Sequence, residues 1–238
     1  MIHKNKKKTK FDIAVVGAGP TGIAFACGFA GTNIKVAIID KAPIEIIASP
    51  KIDGREIALN HHSIKILKKL NVWRHISNNS ISTIKEARVL DGDSSYFLNF
   101  DHQEIEKDCL GYLVPNYVIK KNLYKRLKNL PNITFINKTE CISINTDNEY
   151  ATIGLANGEK IKTSLVVAAD SRFSKIRSKM GISAFSHDFK KNMIVKIFSK
   201  KNKIIEILRM NFFVTIRHRQ HCLILKINQA LLLLLIKI

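Results

Sequence analysis

The chain has 238 residues, of which 46% are hydrophobic and 24% charged, with a formal net charge of +20. That length and balance suit one large folded domain, or one and a fraction, and exclude a disordered or collagen-like chain. The lysines are scattered among isoleucines and asparagines along the chain. This is the pattern of a compositional bias, without the aromatic-basic motif of a nucleic-acid reader, so nucleic acid is not an expected partner.

Met1 to Lys10 is a basic tail carrying Lys6-Lys7-Lys8, and no apolar h-region follows it, so it does not read as a secretory signal. The nearest approach to a membrane-crossing run is Ala230 to Ile236, far short of the ~18 residues a span needs. Cys27, Cys109, Cys141 and Cys222 form no C-x-x-C pair, and reduced thiols in a cytoplasmic protein are expected.

Phe11 to Gly17 is a short β-branched apolar run that predicts a buried parallel strand. Pro20 to Ala30 predicts a helix, and Ile34 to Asp40 a second buried strand. Ala42 to Asp53 carries two prolines and predicts a loop. Ile64, Leu67 and Leu70 recur near the helical period, which predicts a helix over 55–70. Ser82 to Phe100 predicts two strands around a turn at Asp91-Gly92-Asp93. Asn116 to Leu130 predicts an amphipathic helix capped by Asn116 and ended by Pro131. Short strands are expected over 132–136 and 140–145. Tyr150 to Leu155 and Lys160 to Ala168 flank Asn157-Gly158, a hairpin signal. Leu165 to Ala169 reads as a buried strand and Ser174 to Met180 as a short helix.

Between the first strand and first helix lies Gly17-Ala18-Gly19-Pro20-Thr21-Gly22, a G-x-G-x-x-G turn. Gly17 permits the tight turn, Gly19 lets backbone approach a pyrophosphate, and Gly22 permits close packing of helix on strand. The helix N-terminus then offers N–H groups to phosphate oxygens. Asp40 ends the second strand, where an acid accepts hydrogen bonds from ribose hydroxyls and disfavours a 2′-phosphate. The unit predicts a dinucleotide site, and these residues alone do not separate FAD from NAD.

Three further segments carry a family resemblance. Asp53-Gly54-Arg55-Glu56-Ile57-Ala58-Leu59 resembles the D-x-R-x-x-A-L segment of group A flavin monooxygenases. Leu110-Gly111-Tyr112-Leu113-Val114-Pro115-Asn116 resembles L-G-Y-x-V-x-N, with Trp73 standing where the ubiquinone-biosynthesis hydroxylases have it. Leu165 to Arg177 is similar to the later motif G-A-D-G-x-x-S-x-V-R, with Ala168 and Ser171 where glycines are usual. The resemblance runs from about Phe11 to Phe185 and is to the FAD-dependent ubiquinone-biosynthesis hydroxylases, octaprenyl-methoxyphenol hydroxylase-like.

The resemblance implies an α/β fold: a Rossmann-like FAD-binding βαβ domain with part of a mixed-sheet substrate domain. It implies that Gly17, Gly19 and Gly22 cradle the FAD pyrophosphate and that Asp40 holds the adenosine ribose. Arg55 would contact the flavin side, and Asp170 the pyrophosphate and ribityl region. NAD(P)H would be the electron donor and a polyprenylated phenol the substrate. Other ubiquinone-biosynthesis proteins would be partners, at the surface of the inner membrane. No side chain stands out as catalytic, because the cofactor carries the difficult chemistry.

The expected organisation is a basic tail over 1–10, the FAD-binding domain with partial substrate-domain elements over 11–188, and a divergent tail over 189–238. That tail holds no glycine and no proline, which is expected of a truncated or frame-shifted product. His61-His62, and His218 with His221 and Cys222, lack the further ligands a metal site needs, and no metal is expected. Two other readings stay open: a non-enzymatic FAD-binding remnant, and an NAD-dependent dehydrogenase, against which the Arg55 and Asp170 segments argue.

Overall fold

The computed structural model describes residues 9–91, 95–187, 209–212 and 221–227. The Lys6-Lys7-Lys8 tail, the Gly92-Asp93 turn, His218 and the run Ala230 to Ile236 lie outside the described residues. The elements in chain order are β1 (Thr9–Val16), α1 (Pro20–Cys27), β2 (Val36–Ile39), α2 (Ile44–Ala48), β3 (Glu56–Leu59), α3 (His61–Lys69), β4 (Ser82–Asp91), β5 (Phe97–Asp101), β6 (Gly111–Pro115), α4 (Asn116–Leu127), β7 (Ile133–Ile136), β8 (Cys141–Thr146), β9 (Ala151–Leu155), β10 (Lys160–Ala168), α5 (Lys175–Lys179), β11 (Arg209–Phe212) and β12 (His221–Ile227). They gather into two compact units. Among the described residues, no helix is long and apolar enough to cross a membrane.

The first unit takes in the described residues up to Lys51, then 70–72 and 119–185. Its sheet has the order β7-β2-β1-β10-β9-β8. β7, β2, β1 and β10 run parallel, and β9 and β8 continue the sheet antiparallel. Inner parallel strands are covered on both faces, so they need apolar residues without alternation. Ile13, Ala14, Val15 and Val16 in β1, and all four residues of β2, are buried accordingly. One face packs Phe11, Ala14, Val16 and Ile39 against Ile153, Leu155, Ile161 and Ile176. The Asn157-Gly158 turn joins β9 to β10 as predicted, with Gly158 at φ +81°. Asn132 ties the end of α1 to the start of β2 by donating from Nδ2 to the carbonyls of Phe29 and Ile34, both at 2.9 Å.

The second unit takes in 52–69, 73–118 and the described residues after Phe185. Its sheet runs β11-β12-β4-β6-β3, with β5 paired to β4 over 86–90. Tyr112 packs edge-on against both Trp73, 5.7 Å between centroids, and His61, 6.0 Å. His61 Nε2 donates to the Cys109 carbonyl at 2.8 Å. Trp73 is thus a packing residue, as expected, and His61 is tied to the main chain.

Several elements differ from expectation. The helix predicted over 55–70 is a strand followed by a helix. Glu56–Leu59 pairs antiparallel with Tyr112–Pro115, a long-range constraint that helical periodicity does not register. Asn60 then caps α3, its Oδ1 accepting from the Ser63 N–H at 2.8 Å. The loop over 42–53 contains the short α2. Asn116 is itself the first residue of α4, and its side-chain amide donates to Asp53. The run Leu165 to Ala169 forms a strand that is not buried: Leu165 is 50% exposed. Within the expected divergent tail, Arg209–Phe212 and His221–Ile227 pair with each other, and His221–Ile227 with β4.

Cys27, Cys109 and Cys141 are free and buried. Burial pushes the Cys27 thiol up to about 11 and raises Cys141, so neither carries appreciable thiolate at neutral pH. Ile153 is fully buried at the centre of the first unit's core. Ile153→Ala is expected to lose about 2–5 kcal/mol of stability in chemical denaturation. A loss under 1 kcal/mol would mean that this face is not packed as described.

Candidate functional site

The predicted site residues of the first unit converge where β1, β2 and β10 end. Parallel pairing sets Val16 beside both Ile39 and Ala168. The three following turns therefore start side by side. The Gly17 N–H donates to the Ile39 carbonyl at 2.8 Å, and the Ala169 N–H to the Val16 carbonyl at 2.8 Å.

Each glycine of the turn has its own reason. Gly17 has φ +109°, and a Cβ there would strike the Ala169 carbonyl. A Cβ on Gly22 would strike the Gly17 carbonyl, so this glycine allows α1 to lie against the strand end. A Cβ on Gly19 would meet no protein atom within 4 Å. The space beside it is open, and as the N-cap of α1 it holds a position where glycine is well tolerated. Gly19 also starts α1 without a side-chain cap, Pro20 follows, and the first turn holds no acid. The helix end is left open to an anion.

Asp40 braces this turn. Its Oδ2 accepts from the Ala18 N–H at 2.6 Å and its Oδ1 from the Ala42 N–H at 2.8 Å. A carboxylate offers about four acceptor positions, so capacity remains for hydroxyl donors.

Gly17, Asp40 and Asp170 line one cavity of about 280 Å³, with Lys41, Thr139 and Lys175. Asp170 Oδ2 accepts from the Ile176 N–H at 3.2 Å, and Oδ1 is buried without a hydrogen-bond partner. Burial acts to raise the Asp170 carboxyl, but the nearby Ser174 hydroxyl and the N–H groups opening α5 outweigh it and hold it low. Thr139 Oγ1 is likewise buried and unpartnered. Thr139 is a site residue that no sequence motif marks, since an isolated threonine in a turn carries no signal. Lys175 is ion-paired with Glu140 at 2.9 Å.

Ser171, where the resembling motif has glycine, adopts φ +155°. This region is nearly reserved for glycine and stores about 1–3 kcal/mol of strain in other residues. Its hydroxyl accepts from the Phe173 N–H at 3.2 Å, a partial compensation.

Arg55 belongs to the second unit. Its Nε and one terminal nitrogen reach Asp53 Oδ2 at 2.9 and 2.7 Å, and Asn116 Nδ2 donates to the same oxygen at 2.7 Å. The Asn116 N–H donates to the Arg55 carbonyl at 2.9 Å. The D-x-R segment and the asparagine that closes L-G-Y-x-V-x-N are thus two halves of one network. Partial burial acts to raise the Asp53 carboxyl, but hydrogen bonds from Asn116 and Arg55, with the Arg55 charge, bring it down to about 2. The Arg55 side chain stays 61% exposed, so its outer face is open to an anionic group.

The FAD binding domain profile matches residues 10–225. The chain belongs to the FAD-binding domain family. The match reaches beyond Phe185, where the sequence resemblance fades, and takes in β11 and most of β12. Among curated relatives, the ubiquinone hydroxylase UbiM of Neisseria meningitidis is 39% identical over 188 residues, covering 77% of this chain and 41% of that protein. The 3-demethoxyubiquinol 3-hydroxylase of Escherichia coli is 28% identical, covering 75% of this chain and 46% of that protein. The chain thus spans less than half the length of these relatives. The crystal structure of p-nitrophenol 4-monooxygenase PnpA from Pseudomonas putida shares the fold at 14% identity, with a TM-score of 0.63 over 92% of this chain and 58% of that one. The open position at Gly19 and the two orphaned polar atoms fit a FAD-binding domain: its cofactor carries phosphates for the first and hydroxyls for the second.

Two outcomes test this geometry. Ser171→Gly is expected to be more stable than Ser171→Ala by about 1–2 kcal/mol, because both lose the hydroxyl and only glycine relieves the strain. Equal stability in thermal unfolding would contradict it. For Asp53, the folded carboxyl lies below its unfolded value of ~3.9. Its contribution is therefore fully present above about pH 5 and lost as pH falls toward 2. Asp53→Asn is expected to lose about 1 kcal/mol at pH 7, a figure reduced for the exposure of Arg55, with the gap closing below pH 4. A gap independent of pH would rule the ion pair out.

Proposed function

We propose that the chain binds the ADP half of FAD at the glycine turn. We further propose that it serves a FAD-dependent hydroxylase acting on a polyprenylated phenol of ubiquinone biosynthesis, with NAD(P)H as electron donor. The observation that carries the reading is the Gly19 position: clear of protein atoms, at an uncapped helix start, beside a cavity with unpartnered Asp170 Oδ1 and Thr139 Oγ1.

In this reading the α1 N-terminus and the Gly19 backbone bind the pyrophosphate, and Gly17 and Gly22 hold the turn in shape. Asp40 braces the turn and accepts from the ribose through its remaining lone pairs. Asp170 and Thr139 accept from or donate to further cofactor hydroxyls, and Lys41 adds positive charge at the rim. The resemblance alone assigns Arg55 to the flavin side, where its exposed guanidinium would meet an anionic or carbonyl group. The bound flavin would supply oxygen activation, and the protein supplies position and a dry surround. The ubiquinone hydroxylases among the relatives support this substrate class, whose polyprenyl tail is a reason to expect work at the inner-membrane surface.

The test is flavin retention. The purified chain is incubated with FAD, freed of unbound cofactor, and its flavin absorbance and unfolding midpoint are measured. Retained flavin and a raised midpoint are expected, since a ligand at 100 times its Kd stabilises by about 2.7 kcal/mol. Gly19→Val is expected to weaken binding at least tenfold while costing the FAD-free chain only about 1 kcal/mol for a poorer N-cap, because its side chain enters the open space beside the helix start. Retention unaffected by Gly19→Val, or selective retention of NAD, would reject the assignment.

A further inference from the structure

Phe173 lines the nucleotide cavity, yet neither core packing nor a motif accounts for it. It is 73% exposed and so adds little to the core. In the motif that 165–177 resembles, it falls at an unspecified position, between Asp170 and Ser174. A lone exposed apolar side chain is ordinary on a protein surface. The way this one is held, and the part of the cavity it lines, set it apart.

Its main chain is pinned from both sides. The Ser171 hydroxyl accepts from the Phe173 N–H at 3.2 Å, and the Ser174 hydroxyl caps α5 by accepting from the Arg177 N–H at 3.0 Å. The Arg172 guanidinium lies against the Phe173 ring, with Cζ 4.6 Å from its centroid, a cation–π contact that favours one ring orientation. The cavity reaches Asp40, Lys41 and Thr139 but not Gly19 at the helix start. It therefore suits the part of a dinucleotide beyond the ribose, which is the base, rather than the pyrophosphate. Its volume of about 280 Å³ fits a nucleoside better than a whole dinucleotide, since pockets for entire drug-sized ligands run to ~300–1,000 Å³. The charged groups that line it are Asp40, Glu140 and Asp170 against Lys41 and Lys175, with Glu140 and Lys175 paired at 2.9 Å. Charge there is close to balanced, and a neutral, flat base meets apolar surface at Phe173, Ile39 and Ile176.

We propose that Phe173 is an adenine-binding residue, its ring stacking on the base of the bound dinucleotide and covering that end of the cavity. The proposal rests on the FAD reading above and adds a contact that the resemblance does not assign. Stacking asks only for a flat π-face, so an exposed ring with a fixed main chain suffices, and ordering costs little because the main chain is already held. The Ser171 hydroxyl has a use in this arrangement, since glycine at that position would leave the Phe173 N–H without its acceptor.

The test separates the two ends of the cofactor. ADP carries adenine without flavin, and FMN carries flavin without adenine. Calorimetric titration of the purified chain with each, and with FAD, is compared across variants. Phe173→Ala is expected to weaken ADP and FAD about tenfold, the scale of base–aromatic stacking, with no effect on FMN or on the ligand-free unfolding midpoint. Phe173→Tyr is expected to keep the native affinity, and Phe185→Ala, which removes a ring 95% exposed and outside the cavity lining, to change nothing. Phe173→Trp adds a fluorophore to a chain whose single tryptophan is Trp73, and ADP is expected to quench the added emission. Native ADP affinity in Phe173→Ala, with FAD still bound by the native chain, overturns this inference and leaves the FAD reading standing. An FMN loss as large as the ADP loss places the ring at the flavin and overturns it as well. So does a fall in the ligand-free midpoint that matches the lost affinity, which marks a structural role. A native chain that binds neither ADP nor FAD overturns both readings together.

Discussion

The parallel pairing of β1 with β10 is the constraint on which the candidate site depends. It joins residues about 150 positions apart and fixes Val16 beside Ala168. Once those strand ends are level, the chain must leave both in the same small volume, and Gly17 meets the Ala169 carbonyl where no side chain fits. The same register brings Asp170 to the cavity that Gly17 and Asp40 line. The pairing is stabilised by burial of Ala14, Val16, Ile153 and Ile161, with the backbone ladder and the Thr163 hydroxyl, which donates to the Asp12 carbonyl at 3.1 Å. An apolar core whose members Val16, Ile39, Cys141 and Ile176 also line the cavity thus sets the position of its polar groups.

Asp40 braces the turn and lines the cavity with one carboxylate. Read from sequence, it is a ribose acceptor; in the fold both of its oxygens already accept backbone N–H groups. The two roles are compatible because an N–H occupies one lone pair of an oxygen and leaves another. The brace also limits reorganisation on binding, since the turn is held before any ligand arrives. Removing the carboxylate would loosen the Ala18 N–H and the ligand-binding turn together, so affinity and local stability are linked at this residue. They are separable at Gly19, whose side-chain position touches nothing in the protein.

What was legible in the sequence is what local chemistry determines. The G-x-G-x-x-G turn, the buried strands around it, the Asn157-Gly158 hairpin and the packing role of Trp73 all follow from residue type and spacing. Long-range pairing was not legible. Glu56–Leu59 reads as helix because Ile64, Leu67 and Leu70 dominate the window, and only its partner β6 makes it a strand. Asn116 reads from sequence as a helix cap and Asp53 carries no role of its own, and only the fold places them, 63 positions apart, within one hydrogen bond. Thr139 had no signal at all, since its interest comes from an orphaned hydroxyl that exists only once β7 and β8 are in place.

The misreading of 165–169 as buried carries the most information. Patterning reports the environment a segment is suited to, and the fold reports the environment it has in this chain. Where the two agree, as in β1, the neighbours of a strand are all present. In β10 they agree for Ile161 and Thr163, flanked by strands on both sides, and diverge from Ser164 onward, where β9 ends. The divergence begins where the β9 pairing stops, so exposure along β10 follows strand pairing rather than composition. By contrast, the glycine turn, Asp40 and Thr139 are positioned by β1, β2, β7 and β8, all of which are paired. Asp40 and Thr139 are therefore set by strands paired within the first unit, independently of how the later half of β10 is covered.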